Sequence, residues 1–474
     1  MRILFLYPMR IVQFWPITFT TYLDVVSVPS VASPLLAATI PNHECEIFDG
    51  FYDDSIKRLK EKIRNFDIIA VNGSDCITIL NVILNIKLIK EINPKAKIII
   101  GGHNATFYHT QWIKEGADFV VRHEGEITFP LLIEAIEKNK NFKEIKGLTY
   151  RSNGEIIVNS ERPFLKDLDE SPLPRWELVD FSKYHFFFNK DGLTASMEIS
   201  RGCFHKCIFC APSIMWKKTQ RFKSVDRVLG ELHQLKTLGV KNIYFVDDNF
   251  AGDVERYREI FKRMINERIE IDWFCYIRAD TIYNNPDLVK LAAQAGFKIA
   301  YVGYESFQKT IIEHYNKKYN LQNQPYYDLK FYEKVFNICQ ENNIFVIGSF
   351  LIDNSYKDIN DIRRDIKALR KYSNFLRIFC FKDPTADFWP HWPVRYSYIL
   401  QTYNYKLLFE FDTLHRLFRG KGLEKKFYVD FYKQATKYTL YPRKKILFNL
   451  FAKKGYSESK YRKKFIDSDF VKQL

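Results

Sequence analysis

The chain has 474 residues and a formal net charge of +16. This length holds two or three domains with cores of their own, and no stretch approaches the roughly 18 apolar residues of a membrane span. The apolar start, Met1 to Pro8, is too short for a secretory signal. We therefore expect a cytoplasmic protein in a reducing compartment, and not an integral membrane or secreted one.

Short apolar runs alternate with helical patterns over residues 1–145, which predicts a doubly wound, Rossmann-like parallel sheet. Ser33 is predicted to cap the first helix, with Pro34 at its first helical position. The predicted strands are 2–7, 45–49, 67–71, 96–100 and 119–121, and further helices are predicted at 56–65, at 79–91 and from the last strand to about 139.

Three glycine-containing loops follow strands of this sheet. Ligands of such sheets bind beyond the carboxyl ends of the strands, and glycine lets a bulky flat ligand approach the backbone closely. The alternative is that these glycines serve only as tight turns. The loops are Asn72-Gly73-Ser74, Gly101-Gly102-His103-Asn104 and Glu124-Gly125-Glu126.

Residues 146–190 are predicted to form a β-hairpin with an Asn153-Gly154 turn, followed by an extended proline-containing linker. A second alternation of strands and helices fills 191–385. Six βα units there predict a partial (β/α)6 barrel of the TIM type, whose active site would lie at the carboxyl ends of its strands.

The first loop of this second domain carries three cysteines. Cys203, Cys207 and Cys210 have the CxxxCxxC spacing, so one short segment can hold three corners of a 4Fe-4S cluster and leave the fourth iron open. An open coordination position is the mark of a catalytic metal site. A zinc site made of these cysteines with His205, or a cysteine-rich turn, is the alternative.

This spacing, with an aromatic residue before the last cysteine, resembles the signature of the radical S-adenosylmethionine (SAM) enzymes. The helix start Ser33 to Ala38 and the loops at 101–106 and 123–126 are similar to the cobalamin-binding domain that precedes the radical domain in one branch, the class B methylases. The resemblance covers residues 1–385. It implies a 4Fe-4S cluster, SAM and cobalamin as cofactors, and a flavodoxin or ferredoxin as low-potential electron donor.

The resemblance also implies site residues. Asp247, Asp248 and Asn249 would accept hydrogen bonds from the SAM amine, unless they form an Asx turn. Arg278 would pair with its carboxylate, unless it makes a strand-end salt bridge. The implied SAM contacts are Phe209, Asp247, Asp248, Asn249, Arg278 and Glu305, and the implied cobalamin contacts are Asn72, Gly73, Ser74, Gly101, Gly102, His103, Asn104, Glu124, Gly125 and Glu126.

One feature departs from other cobalamin proteins. The Asp-x-His-x-x-Gly pattern that supplies a histidine to cobalt is absent, and its nearest position, around Asn72 to Ile77, holds no histidine. A loop hydrogen bond is therefore a better expectation for His103 than a bond to cobalt.

The last segment, 386–474, is predicted to be a small, mainly helical region rich in Tyr, Phe, Lys and Arg. From His391 to the end there are 19 Lys and Arg residues against 7 Asp and Glu. The basic, amphipathic stretch Tyr441 to Lys454 predicts peripheral contact with an anionic membrane, at the inner face, or core packing against a neighbour. Nucleic acid is not expected, because no RNA-binding motif accompanies the charge.

The leading hypothesis is a cobalamin-dependent radical SAM enzyme that methylates an unactivated carbon of a small or lipid-like substrate through a 5′-deoxyadenosyl radical. A second hypothesis keeps the radical but replaces methyl transfer by cyclisation, carbon–carbon coupling or ring rearrangement. A third, of another class, is a zinc-bound RNA-binding protein. Transfer-RNA methylthiotransferases are set aside, since they need a second three-cysteine site and the first domain holds only Cys45 and Cys76.

Overall fold

The computed structural model describes residues 1–9, 28–50, 52–53, 55–73, 79–186, 189–319, 328–352, 359–382 and 396–400. Ser74 and nearly all of the predicted basic C-terminal region, including Tyr441 to Lys454, lie outside the described residues. The described part contains a seven-stranded sheet, an eight-stranded sheet and a two-stranded ribbon. Within it, none of the helices combines the length and the apolar character that crossing a bilayer requires.

The first sheet has the strand order β2-β1-β3-β4-β5-β6-β7, and its first five strands are parallel. The hairpin β6–β7 extends it antiparallel to β5. The strands are β1 (Arg2–Tyr7), β2 (Glu44–Asp49), β3 (Ile68–Asn72), β4 (Lys97–Gly101), β5 (Phe119–Val121), β6 (Leu148–Ser152) and β7 (Glu155–Val158). The helices are α1 (Ala32–Ala38), α2 (Ile56–Asn65), α3 (Ile79–Ile92), α4 (His103–Phe107), α5 (His109–Lys114) and α6 (Gly125–Glu137).

This sheet is covered on both faces, as its sequence requires. Ile3, Leu4, Phe5 and Leu6 of β1 are at most 2% exposed, and they alternate between two separate hydrophobic cores. A central parallel strand buried on both sides is a continuous apolar run. The predicted Rossmann-like arrangement is confirmed.

The predicted cap of the first helix is wrong. Helix α1 begins at Ala32 with Val31 at the N-cap, and no side chain caps it. Ser33 is buried inside the first turn, so its hydroxyl does not serve the free backbone donors. Pro34 is still tolerated, because the first turn of a helix does not need its N–H.

The second sheet has the strand order β17-β16-β15-β14-β13-β12-β9-β8, with six parallel strands between two antiparallel edges. This confirms the predicted six-stranded partial barrel and adds the edge strands. Its strands are β8 (His185–Phe186), β9 (Asn189–Met197), β12 (Val240–Phe245), β13 (Asp272–Arg278), β14 (Phe297–Glu305), β15 (Phe345–Ile352), β16 (Phe375–Lys382) and β17 (Tyr396–Leu400), and the ribbon is β10 (Ser200–Gly202) with β11 (Gln220–Phe222). The helices are α7 (Ala211–Met215), α8 (Val225–Thr237), α9 (Val254–Asn266), α10 (Ala279–Asn284), α11 (Pro286–Gln294), α12 (Lys309–His314), α13 (Leu329–Glu341) and α14 (Ile359–Lys371).

The alternation of side chains along these strands separates core from lumen. Trp273 and Cys275 of β13 belong to the large core beneath the helices, whereas Phe274 packs with Ile299 and Tyr301 of β14 on the opposite face. Because successive side chains point to opposite faces of a strand, Arg278 shares the second face with Phe274. At its carboxyl end β13 therefore presents the guanidinium of Arg278 on the inner face of the barrel.

Candidate active site: a cysteine loop between two domains

The cysteine loop is fixed by a backbone that only glycine can adopt. It follows β10, whose last residue, Gly202, has φ +94°. A Cβ atom at this position would lie 2.2 Å from the carbonyl oxygen of Thr219. Cys203 and Cys207 are buried, at 8% and 9% exposure. The side chains of Cys203 and Cys207 are thus shielded from solvent, whereas Phe204 and Ile208 of the same loop are exposed.

The three thiols lie within electrostatic reach of one another. Burial raises the pKa of Cys203 to about 11. Burial also raises the pKa of Cys210, and the neighbouring Cys207 and Cys203 raise it further. Three thiols on one short loop fit three corners of a 4Fe-4S cluster, whose positive irons would favour the thiolates. Among the described residues, no three His, Cys, Asp or Glu side chains are grouped closely enough to hold a single metal ion.

Tyr315 and Asn316, in a segment that follows β14, hold the cysteine loop by hydrogen bonds. The amide of Ile208 donates to the carbonyl of Tyr315 at 3.0 Å, and the side chain of Asn316 donates to the carbonyl of Lys206 at 2.8 Å. The rings of Phe209 and Tyr315 are 5.5 Å apart. Sequence reasoning missed this segment, because nothing local shows that residues 315 and 316 meet the cysteine loop.

Asp247, predicted to bind SAM, holds the backbone ahead of the cysteines. Its carboxylate accepts hydrogen bonds from the amides of Ile199 (3.1 Å) and Ser200 (2.5 Å), from the Ser200 hydroxyl and from Tyr257. Burial raises its pKa to about 6, although the hydrogen bonds from Ser200 and Ile199 oppose the shift. Its contact with SAM stays a prediction, and its direct role is to anchor β10.

Asp248 and Asn249 continue this anchor. Asp248 accepts from the amide of Gly202 at 3.1 Å, and burial raises its pKa while nearby His103 lowers it. Asn249 exchanges hydrogen bonds with Gln220 of β11, at 2.9 Å and 2.8 Å. The predicted trio therefore comes together beside the cysteine loop.

Glu305 ends β14 with φ +64°, an uncommon conformation for a residue other than glycine. Its buried carboxylate pairs with Lys317 at 2.9 Å and accepts from the Ser349 hydroxyl at 3.1 Å. The Lys317 ammonium also donates to the carbonyl of Gly303 and lies 6.0 Å from the centre of the Phe209 ring. Lys317 was not predicted, because it lies twelve positions after Glu305 and nothing local in the sequence pairs the two.

Arg278 makes the strand-end salt bridge that was the alternative to cofactor binding. Its guanidinium binds Asp280 at 2.9 Å and the carbonyl of Lys318 at 2.8 Å, with the Tyr319 ring beside it. Burial opposes its charge, but Asp280 outweighs burial and raises the pKa of Arg278 above its ordinary value. Pairing with a SAM carboxylate stays a prediction.

Two of the predicted cobalamin loops meet at one edge of the first sheet. The amide of Gly73 donates to the carbonyl of Gly101 at 2.8 Å, and a Cβ at Gly73 would lie 2.7 Å from Ile100. Close packing inside the domain is therefore sufficient to explain why residue 73 is a glycine. Gly102 has φ +108° and opens α4, which exposes His103. Asn72 of the same edge contacts Ser30.

This edge fits a polar flat ligand. The side-chain oxygen of Asn104 accepts from Trp112 at 3.0 Å, but its buried amide nitrogen has no partner among the described residues. The His103 ring stands edge-on to Trp216 of the radical domain, 6.2 Å between centroids. An exposed histidine, a spare amide donor and a glycine backbone suit the amide-rich rim of cobalamin, and His103 contacts the domain that carries the cysteines.

The third predicted cobalamin loop is used differently. Glu124 and Glu126 contact Arg201 of β10 at 2.9 Å and 2.6 Å, and Gly125 between them packs close to Leu36. Burial opposes the charge of Arg201, but Glu198 and these two carboxylates raise its pKa well above the ordinary value. Cobalamin contact by Glu124, Gly125 and Glu126 stays a prediction.

Comparison with known proteins agrees with this geometry. The Radical SAM superfamily model matches residues 197–366, and the B12 binding domain model matches residues 26–133. The chain is 29% identical to an uncharacterised methyltransferase of Pyrococcus horikoshii over 74% of each chain. It is 26% identical to the hopanoid C-3 methylase of Methylococcus capsulatus, over 54% of this chain and 48% of that protein.

Among solved structures, the radical SAM methyltransferase TsrM of Kitasatospora setae, bound to tryptophan and a SAM analogue, shares the fold. The TM-score is 0.65 at 15% identity, covering 81% of this chain and 74% of that one. The match to the Radical SAM superfamily, together with the partial barrel and its cysteine loop, makes this protein a radical SAM enzyme. More particularly, the chain belongs to the radical SAM enzymes with an N-terminal B12-binding domain, and its cofactors are a 4Fe-4S cluster, SAM and cobalamin.

Proposed function

We propose that this protein transfers a methyl group to an unactivated carbon of a small or lipid-like substrate. The observation that carries the proposal is the meeting of the two domains, with His103 of the B12-binding edge 6.2 Å from Trp216 beside the cysteine loop. When bound, the cluster with SAM supplies a hydrogen-abstracting radical, and cobalamin supplies a methyl group. The names of the methyltransferase and methylase relatives support the same activity.

The chain's own residues would orient these groups and exclude water. Cys203, Cys207 and Cys210 would hold the cluster, and Phe209 lies against Tyr315 and Lys317 on the side where SAM would bind. The buried ion pair Glu305–Lys317 gives that side a fixed polar wall. No described side chain is assigned as a general acid or base, since hydrogen abstraction by a radical requires none.

Methyl-labelled SAM tests the proposal. The protein, reduced and loaded with cobalamin, is incubated with a cell lipid extract and with a small-molecule extract, and products are analysed by mass spectrometry. Methyl transfer predicts a product that carries the label, and it predicts none from the Cys207→Ala variant. Consumption of SAM with an unlabelled product would instead support cyclisation, coupling or rearrangement.

The partners of the reaction are part of the proposal. An acidic flavodoxin or ferredoxin would deliver the low-potential electron to this basic protein. A lipid substrate would be reached through peripheral membrane contact by the basic segment Tyr441 to Lys454. Removing the last 34 residues, 441–474, is expected to release the protein from anionic vesicles. Unchanged partitioning would count against the membrane contact and leave a small soluble substrate.

A further inference from the structure

A buried network of charges joins the two domains next to the cysteine loop. We call it the junction network, and it consists of Arg201, Glu198, Glu124, Glu126 and Arg221. The Arg201 side chain is 8% exposed, and its guanidinium contacts Glu198 at 2.5 Å, Glu126 at 2.6 Å and Glu124 at 2.9 Å. One side chain of the radical domain thus binds two carboxylates of the B12-binding domain.

The loop that carries Glu124 and Glu126 is held in place by hydrogen bonds and by packing. Glu124 is the N-cap residue of α6, three positions after the end of β5, and it also accepts from Arg221 at 2.9 Å and from the amide of Leu165 at 2.8 Å. Gly125 beside it packs against the side chain of Leu36 of its own domain, where a Cβ would lie 2.9 Å from a Leu36 methyl group. Because the loop is held by its own domain and by the linker, it can serve as a fixed reference for Arg201.

Arg201 lies in the strand that leads into the first cysteine, so the placement of Arg201 determines the placement of Cys203. It is the middle residue of β10, between Ser200, held by Asp247, and Gly202, held by Asp248. Two residues later comes Cys203. The Nε and Nη2 atoms of Arg201 donate to Glu198, which fixes the plane of the guanidinium. Its Nη1 atom donates to Glu124 and lies in ion-pair contact with Glu126, so a shift of the loop at Glu124 and Glu126 would be passed to the cysteine loop.

We propose that Arg201 is a positioning residue, and that Glu124 and Glu126 act through it to let the B12-binding domain set the geometry of the cluster loop. This role goes beyond methyl transfer and does not depend on it. It also explains why two acidic residues of a loop expected to face cobalamin point instead to the other domain.

The test uses Glu126→Gln and Arg201→Lys, with Lys217→Met as matched control. Lys217 pairs with Glu161 across the same junction, but both side chains are more than half exposed. Amide hydrogen exchange is followed in the full-length protein for residues 199–210 and for a remote peptide from α9. The EPR spectrum of the reduced cluster is recorded at equal iron content.

We expect exchange at 199–210 to accelerate about tenfold or more in Glu126→Gln and Arg201→Lys, and the α9 peptide to stay as in the wild type. Their EPR spectra should differ from that of the wild type, whereas Lys217→Met should match it in both measurements. Equal acceleration of exchange in both peptides would mean that the junction network only stabilises the whole protein, and it would overturn the proposal. So would wild-type behaviour of both variants, or an equal effect of Lys217→Met. If one variant does not fold, the other decides the outcome, and the exchange result stands without cobalamin or turnover.

Discussion

Replacing Gly202 by alanine tests how the cysteine loop is held. The structure assigns two costs to this change. An L-residue at φ +94° is strained by about 1–2 kcal/mol, and a Cβ 2.2 Å from the carbonyl oxygen of Thr219 forces the β10–β11 ribbon apart. Overpacking of this kind costs about 1–3 kcal/mol. Gly202→Ala is therefore expected to lose about 2–5 kcal/mol.

Two other glycines separate these costs. Gly154, in the hairpin turn, has φ +86° and open space where a Cβ would be placed, so Gly154→Ala should lose only the conformational part, about 1–2 kcal/mol. Gly230 lies inside α8, also in open space, and Gly230→Ala should gain about 0.5–1 kcal/mol from helix propensity. The control variants contain the same added methyl group but leave the cysteine loop untouched.

The assay combines urea denaturation with iron and labile sulfide content after anaerobic purification. Gly202→Ala should show the lowest midpoint and should lose most of its iron, because Cys203 follows the displaced residue directly. Gly154→Ala should keep wild-type iron despite its lower stability. If Gly202→Ala kept full iron and matched Gly154→Ala in stability, the idea that this glycine is required by the close contact with Thr219 would be refuted.

Two further predictions concern buried charges. Burial raises the pKa of Asp247 to about 6, above its unfolded value of 3.8, so its contribution to stability is complete below about pH 4 and is lost as the pH rises to about 6. The difference in unfolding free energy between wild type and Asp247→Asn should therefore change by about 3 kcal/mol over this range and stay constant above it. A difference that does not depend on pH would contradict the raised pKa. Lys317→Met leaves the Glu305 carboxylate buried without its cation and should lower the free energy of unfolding by about 3–5 kcal/mol. In urea denaturation, the double variant Lys317→Met with Glu305→Gln should recover part of that stability. A double variant no more stable than Lys317→Met would argue against a stabilising ion pair.

Local patterns predicted the fold well because they depend on neighbours in the chain. Apolar periodicity placed β1, α2 and β5 at their observed bounds, and the Asn153-Gly154 turn placed the hairpin. The edge strands β8 and β17 were missed, since edge pairing adds little to the apolar pattern. Ser33 failed as a cap because the helix begins one residue before it, at Ala32, and helix ends are hard to place from sequence alone.

The site was predictable where spacing carries the chemistry and not where partners come from afar. The CxxxCxxC spacing points to the three cysteines directly, and their role as cluster ligands stays a prediction. The partners of Asp247 and Arg201 could not be foreseen, because Asp247 meets Ser200 across 47 residues and Arg201 meets Glu124 across 77. A loop that resembles a cobalamin contact can also serve as an interdomain clamp, and only tertiary geometry distinguishes the two.

The most direct test of the central claim is the EPR spectrum of the anaerobically purified, reduced protein, loaded with cobalamin and recorded before and after addition of SAM. A radical SAM cluster on this loop predicts about four irons per chain, a reduced-cluster signal that changes when SAM binds the open iron, and loss of that signal in the Cys203→Ala, Cys207→Ala and Cys210→Ala variants. A colourless protein without iron and labile sulfide, or a cluster signal that does not respond to SAM, would contradict it.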